Sequence, residues 1–206
     1  MNGLGLICVA GVIGVGKTTL ARRLAAELGA RLIDEEYDRN PFLAAMLTGD
    51  RTAALPCELD FLLSRARQLH RGALAGVATA VCDYVFEKNR LFARRNLTAE
   101  QFAAFELVER AILPQVTPPS RVIYLRDAPE DCRARIVRRG RPYEQQITPA
   151  FLVRMQAEYD ELFDRWDRCP VLRVDGGRHD VRETRTVRLL MDWLKEAAAE
   201  ARLPAC

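Results

Sequence analysis

Lysine is nearly missing from this chain. Of its 31 Lys and Arg residues, three are lysines: Lys17, Lys88 and Lys195. We read the arginine excess as a bias of composition, so a basic residue must be argued from its position. Histidine is as scarce. His70 and His179 stand apart from any Cys/His cluster, which argues against a zinc site. The six cysteines (Cys8, Cys57, Cys82, Cys132, Cys169 and Cys206) form no C-x-x-C pair. Cys8 and Cys82 lie in apolar, strand-like runs and are expected as small buried residues. No apolar run reaches membrane-spanning length. Residues 1–10 lack a basic stretch before an apolar one, so no signal peptide and a cytoplasmic location are expected. A net charge of +3 is too small to argue for a nucleic-acid partner. Internal repeats and low-complexity tracts are absent as well.

What remains is an ordinary globular composition, 49% hydrophobic and 29% charged, over 206 residues. That length suits a single domain, 1–206, with a full core. Within it Gly11-Val12-Ile13-Gly14-Val15-Gly16-Lys17-Thr18 fits G-x-x-x-x-G-K-[ST], the P-loop. Its flanks agree. Residues 4–10 are apolar and β-prone, and residues 19–28 place Leu20, Leu24 and Leu28 on one helical stripe. Gly11, Gly14 and Gly16 let backbone N–H groups turn inward around a phosphate. The start of the following helix, with Thr18 and Thr19, adds partial positive charge. Lys17 is expected on the β- and γ-phosphates of ATP, and the Thr18 hydroxyl on Mg²⁺.

Strand-like runs recur at 4–10, 30–34, 77–83, 121–126 and 171–175, separated by helical runs. Alternation of this kind predicts an α/β fold, a parallel sheet covered by helices. A helix over 59–74 carries Leu59, Leu62, Leu63, Ala66, Leu69 and Ala73. A last helix over about 182–199 carries Val187, Leu190, Met191 and Leu194. Trp166 and Tyr159 fall in a helical run and are expected to pack. The stretch 114–119 holds Pro114, Pro118 and Pro119 and reads as a connector into the fourth strand.

In parallel sheets ligands gather at the carboxyl ends of strands. The second strand ends in Asp34-Glu35-Glu36 and the third in Cys82-Asp83-Tyr84. Phosphoryl transfer to a hydroxyl needs a carboxylate to take the proton and hard oxygens around Mg²⁺, which makes Glu35 and Asp83 candidates. Beyond the fourth strand, Arg133, Arg135, Arg138, Arg139 and Arg141 crowd one segment. That placement suits an arginine-rich lid, about 133–147, over the phosphates better than an RNA patch.

Taken together, the P-loop G-V-I-G-V-G-K-T-T-L, E-E-Y-D-R-N-P-F-L (35–43), F-L-L-S-R (61–65), D-Y-V-F-E-K (83–88), V-I-Y-L (122–125) and R-R-G-R-P-Y-E-Q (138–145) resemble the deoxynucleoside kinases, in particular the bacterial deoxyguanosine/deoxyadenosine kinase-like branch. The resemblance spans nearly the whole chain. It implies a five-stranded parallel sheet, ATP and Mg²⁺, transfer of the γ-phosphoryl group to the 5′-hydroxyl of a deoxynucleoside in nucleotide salvage, and a homodimer built through helices. By position it makes Glu35 the general base, Asp83 the acid near Mg²⁺, and Arg135, Arg139 and Arg141 the lid arginines. Glu144 would meet the sugar 3′-hydroxyl, and Arg65 would lie near the base.

Departures collect at the acceptor. A sugar-contacting Tyr is Leu47, an Arg after the third-strand acid is Tyr84, a base-reading Gln is Glu58, and an Asp that partners the base-site Arg is Asn89. Where an amide offers a donor and an acceptor, a carboxylate offers acceptors alone, which suits the N1–H and N2–H of guanine. Alternatively Glu58 simply pairs with Arg65, two helical turns on. Two competing functions stand beside the kinase reading. A nucleoside monophosphate kinase of the thymidylate type would need arginines for an acceptor phosphate, with Arg39 and Arg65 as the candidates. A regulatory ATP-binding protein would need neither Glu35 nor the lid.

Overall fold

The computed structural model describes residues 3–200, with side chains as far as residue 196; Cys206 lies outside the described residues. In chain order the elements are β1 (Gly5–Ala10), α1 (Lys17–Leu28), β2 (Arg31–Ile33), α2 (Leu43–Leu47), α3 (Ala54–Gln68), β3 (Thr79–Cys82), α4 (Lys88–Asn96), α5 (Ala99–Ile112), β4 (Arg121–Arg126), α6 (Pro129–Arg139), α7 (Pro149–Asp164), β5 (Val171–Asp175) and α8 (Thr184–Glu200). They fall into two compact units. One takes in the chain up to Asp34, Gly76–Val85 and the chain from Pro119; the other is Glu35–Ala75 and Phe86–Pro118. The proline-rich connector therefore ends where the chain passes from the second unit back to the first.

The first unit holds the whole sheet. Its strands are parallel in the order β2-β3-β1-β4-β5. Central β1 pairs Cys8 with Cys82 on one side and with Val122 on the other. Leu6 to Ala10 and Val122 to Leu125 are buried without alternation, as strands covered on both faces require. Cys8 and Cys82 are buried, as expected. The order reverses between β1 and β4, and in open α/β sheets such a switch point is where ligands bind. Helix α1 packs on β1, β2 and β3. Its Leu20 and Leu24 are wholly buried, each contributing about 1.5–3 kcal/mol. Val187, Leu190 and Leu194 form the buried stripe of α8. Tyr159 stacks on Tyr124 and Phe163, whereas Trp166 lies beyond the end of α7 and tilts against Phe163.

The second unit is helical, and its main helix departs from the hydrophobic pattern. Instead of 59–74, α3 runs Ala54–Gln68. Pro56 is tolerated in its first turn, where the N–H groups have no intrahelical acceptor. The chain leaves the helix after Gln68 because an antiparallel bridge between His70 and Val116 captures it, with the Arg71 N–H donating to the Gln115 carbonyl at 2.9 Å. The buried face is Ala54, Cys57, Glu58, Leu62 and Arg65, and Leu63, expected on the apolar stripe, is exposed. Two charged side chains thus occupy core-facing positions on α3, a conflict between local pattern and fold that marks functional sites.

Candidate active site

In the first unit, β1 runs straight into the P-loop. Gly14 has φ +82°, and a Cβ there would stand 2.4 Å from the Cys132 carbonyl oxygen; one at Gly11, with φ +137°, would stand 2.5 Å from that of Leu125. The loop is thus pressed against β4 and α6 in a conformation that L side chains rarely adopt. Helix α1 starts at Gly16 with no side-chain cap, so its first N–H groups are presented to an anion. The Lys17 ammonium donates to the Val12 carbonyl at 2.9 Å, folding back over the loop. Thr18 Oγ1 donates to Asp83 Oδ2 at 2.6 Å, and Asp83 is buried at the end of β3. This hydroxyl–carboxylate pair of hard oxygens suits Mg²⁺, which takes few protein ligands and keeps waters and phosphates for the rest.

A cavity of about 270 Å³ opens over the loop, lined by Gly14, Gly16, Lys17, Thr18, Thr19, Arg135, Arg138 and Arg139. The arginines come from α6, whose ends are well specified. Pro129 starts it, Glu130 and Asp131 sit in its first turn, Arg138 and Arg139 in its last, and Gly140 caps it in the left-handed conformation. Arg135 donates to the Gly14 carbonyl at 3.3 Å and to Asp127 Oδ2 at 2.5 Å. Arg139 forks onto Glu144 Oε2 at 3.0 and 2.6 Å, and Arg141 reaches Glu144 Oε1 at 3.4 Å. Glu144 is buried, and all three expected lid arginines here hold a carboxylate. Burial pushes the Cys132 thiol beneath the loop up to about 11, leaving it an inert neutral group.

In the second unit a different kind of site appears. Glu35 Oε1 accepts from Arg65 Nε at 3.0 Å and from Lys88 Nζ at 2.7 Å, and Oε2 accepts from Lys88 Nζ at 2.7 Å. All three side chains are at most 10% exposed. Charges so buried must be paired, and here one carboxylate lies between two cations. Arg65 Nη1 donates to Asn89 Oδ1, and Asn89 Nδ2 to the Phe86 carbonyl at 2.8 Å. The amide at 89 therefore serves as a partner of Arg65. The Phe61 ring covers the Arg65 guanidinium at 4.6 Å.

Glu58 does not pair with Arg65. Its Oε1 accepts from Asn96 Nδ2 at 2.6 Å, while Oε2 is buried with no hydrogen-bond partner. Burial raises its carboxyl above the usual range, opposed by the Asn96 hydrogen bond and the positive charges of Arg65 and Lys88. Glu36 instead faces solvent cations, Arg39 at 2.8 Å and Arg67 at 3.0 Å, in pairs of little energetic weight. Tyr84 is buried, and Leu47 closes α2 half-buried.

Lys88, Asn96 and Asp127 belong to these networks and were not anticipated. One signal was available for Lys88: in a chain that uses arginine almost everywhere, a lysine at 88 stands out beside the P-loop lysine. Asn96 and Asp127 carried none, since their partners lie 38 and 8 residues away in the chain.

The family model for deoxynucleoside kinases matches residues 7–197. The chain is 29% identical to a deoxyguanosine kinase of Bacillus subtilis (strain 168) over 187 residues, 87% of this chain and 90% of the relative. It is 28% identical to a deoxyadenosine/deoxycytidine kinase of the same organism, over 82% and 81% of the two chains. The fold is similar to that of deoxyadenosine kinase from M. mycoides with bound dATP, with a TM-score of 0.79 and 19% identity, over 93% of this chain and 99% of that one.

Proposed function

The chain belongs to the deoxynucleoside kinase family, and on that footing we propose that it transfers the γ-phosphoryl group of ATP to the 5′-hydroxyl of a purine deoxynucleoside, with guanine favoured. The observation that carries the choice of acceptor is the commitment of Arg65. A monophosphate kinase needs cations for the acceptor's phosphate, and its two candidates are both engaged: Arg65 with Glu35 and Asn89 in a buried network, Arg39 with Glu36 at the surface. A regulatory ATP-binding protein would have no use for a buried carboxylate held by two cations. The guanine preference is supported by Glu58 and by the similarity to a deoxyguanosine kinase.

In this reading the P-loop N–H groups and Lys17 hold the β- and γ-phosphates, and Arg135 supports the loop from α6. Thr18 and Asp83 would hold Mg²⁺, which neutralises phosphate charge when bound. Glu35 takes the proton of the attacking 5′-hydroxyl; Lys88 and Arg65 hold that carboxylate fixed in rotation. Arg139 and Arg141 exchange Glu144 for the oxygens of the transferred group, and the released Glu144 accepts from the sugar 3′-hydroxyl. Water is excluded as the arginine segment closes, which limits ATP hydrolysis. Arg65 and Asn89 face the base with Glu58. A homodimer and a cytoplasmic location complete the reading; exposed Leu63 and Leu107 on α3 and α5 support the first.

The test is steady-state phosphorylation with Mg·ATP across deoxynucleosides, ribonucleosides and their monophosphates. Turnover of purine deoxynucleosides is expected. Turnover of monophosphates alone would transfer the chain to the competing kinase class, and tight ATP binding without turnover would favour the regulatory role.

A further inference from the structure

Glu58 is the one acceptor-site group whose position is built but whose hydrogen bonding is incomplete among the described residues. On one side, Asn96 fixes the rotation of the carboxyl by donating to Oε1. On the other, Oε2 is sealed from water with no donor and no acceptor opposite it. A buried polar atom left without a partner is costly, so a ligand that supplies one is held the more tightly for it. Which ligand depends on the proton. Ionised, Glu58 presents two acceptors, matching the adjacent N1–H and N2–H donors of guanine. Neutral, it carries the proton on Oε2, because Oε1 already accepts from Asn96. It then presents a donor and an acceptor, matching N1 and N6–H₂ of adenine.

We infer that Glu58 reads purines in two protonation states, so that the guanine and adenine complexes differ by one bound proton and the preference between them moves with pH. This rests on the assignment of Glu58 to base recognition made above. Binding of deoxyguanosine to the neutral form transfers the Oε2 proton to solvent, leaving carboxylate against the two guanine donors; binding of deoxyadenosine retains that proton in the O–H···N1 hydrogen bond. No bond beyond O–H is made or broken. Burial shifts the carboxyl toward its neutral form, and a base that needs one form or the other then selects it. The charged groups acting on Glu58 are Arg65 from its own helix and Lys88 from α4, both favouring ionisation. Neighbouring Cys57 is a thiol pushed up to about 12 and stays neutral. α2 carries no titratable residue, and Glu106 and Glu109 of α5 are held by Arg90. Arg65 and Lys88 are themselves paired with Glu35.

The measurement is calorimetric binding of deoxyguanosine and of deoxyadenosine to the full chain between pH 6 and 8, in buffers of different ionisation enthalpy, with kcat/KM for each nucleoside over the same range. One fewer proton bound with deoxyguanosine than with deoxyadenosine is expected at every pH. The ratio of their kcat/KM values should then rise with pH, by up to about tenfold per unit. Glu58→Gln, whose amide is always a donor and an acceptor, should abolish the proton difference, flatten the ratio and favour deoxyadenosine. Equal proton counts for both nucleosides in the unmodified chain, or a ratio that does not change with pH while deoxynucleosides are phosphorylated, would overturn the inference and leave the kinase assignment intact. Failure of deoxyadenosine alone to bind at any pH would overturn the inference only, and failure of both nucleosides to bind or react would remove both. The wild-type comparison needs no variant, so a Glu58→Gln chain that fails to fold does not rescue the idea.

Discussion

The P-loop unit and the helical unit handle charge in opposite ways. Around the phosphate cavity the positive potential comes from backbone N–H groups, one lysine and arginines that remain about a third exposed, such as Arg135 at 34% and Arg139 at 36%. In the helical unit the cations are buried, Arg65 at 5% and Lys88 at 8%, and are tied to Glu35. The first arrangement awaits a highly charged ligand and tolerates solvent until it arrives. The second is finished before any ligand comes, because a buried charge without its partner costs more than the fold can spare. A phosphate site can be made from flexible pieces, whereas a proton-accepting carboxylate must be held.

The contrast is tested most severely by removing one charge from each unit. Glu35→Gln should lower kcat by roughly 10²–10⁴-fold with ATP binding unchanged, since proton acceptance is lost and the phosphate site is untouched. Lys17→Ala should lower kcat by on the order of 10²–10³-fold and weaken ATP binding as well. Titration of ATP against both variants separates the two roles. If Glu35→Gln weakened ATP binding as much as Lys17→Ala, the division of labour between donor and acceptor would fail; an unaffected rate would pass the proton-accepting role to Asp83.

A smaller effect is expected at Lys88. Lys88→Met removes one of the two cations on Glu35 and should reduce kcat about tenfold, equivalent to about 1.4 kcal/mol, with ATP affinity unchanged. Lys88→Arg, which restores the charge but not the shape, should recover part of that rate. Equal losses for both variants would mean that Lys88 fills space there and does not position the base.

Glu58 offers a gentler probe, in stability. Burial raises its carboxyl above the ordinary range, so folding shifts Glu58 toward the neutral form. A group raised on folding contributes its stability below the unfolded value and loses it as pH rises through the folded one. The Tm of Glu58→Gln relative to the unmodified chain should therefore increase from pH 4.5 to pH 8. A difference that stayed constant with pH would show that Glu58 carries the same charge folded and unfolded.

The two units also differ in how far their sequence announces them. The P-loop conformation was readable because it resides in the backbone, and glycines at 11, 14 and 16 before a lysine specify it locally. The central strands were equally open, since β1 and β4 are buried on both faces and leave long apolar runs. Glu35 and Asp83 could be placed by their position after strands. What escaped was tertiary pairing. Nothing near Asn96 points to Glu58, nor near Lys88 to Glu35, because each pair forms by the meeting of distant segments. The buried face of α3 was misplaced for the same reason: Glu58 and Arg65 look like solvent-facing residues on a helical wheel, and Leu63 like a core residue, until the charge network is known. Resemblance to a family supplied Arg65 and Glu58, and the hydrophobic pattern alone would not have.

The smallest expected effect isolates stability from function within the helical unit. Thr98 caps α5 with a reciprocal pair: its Oγ1 accepts from the Gln101 N–H at 3.3 Å, and Gln101 Oε1 accepts from the Thr98 N–H at 3.1 Å. Thr98→Ala removes one half of that box at a cost of about 1 kcal/mol. For a chain of this length that corresponds to a fall in Tm of about 2–4 °C. Neither kcat nor the deoxyguanosine-to-deoxyadenosine ratio should change, because the Thr98 hydrogen bonds serve the cap of α5 and not Glu35, Arg65, Lys88 or Glu58. A loss of activity from so modest a destabilisation would mean that the acceptor network depends on the overall rigidity of its helices, and the effects expected at Lys88 and Glu58 would then have to be measured against that background.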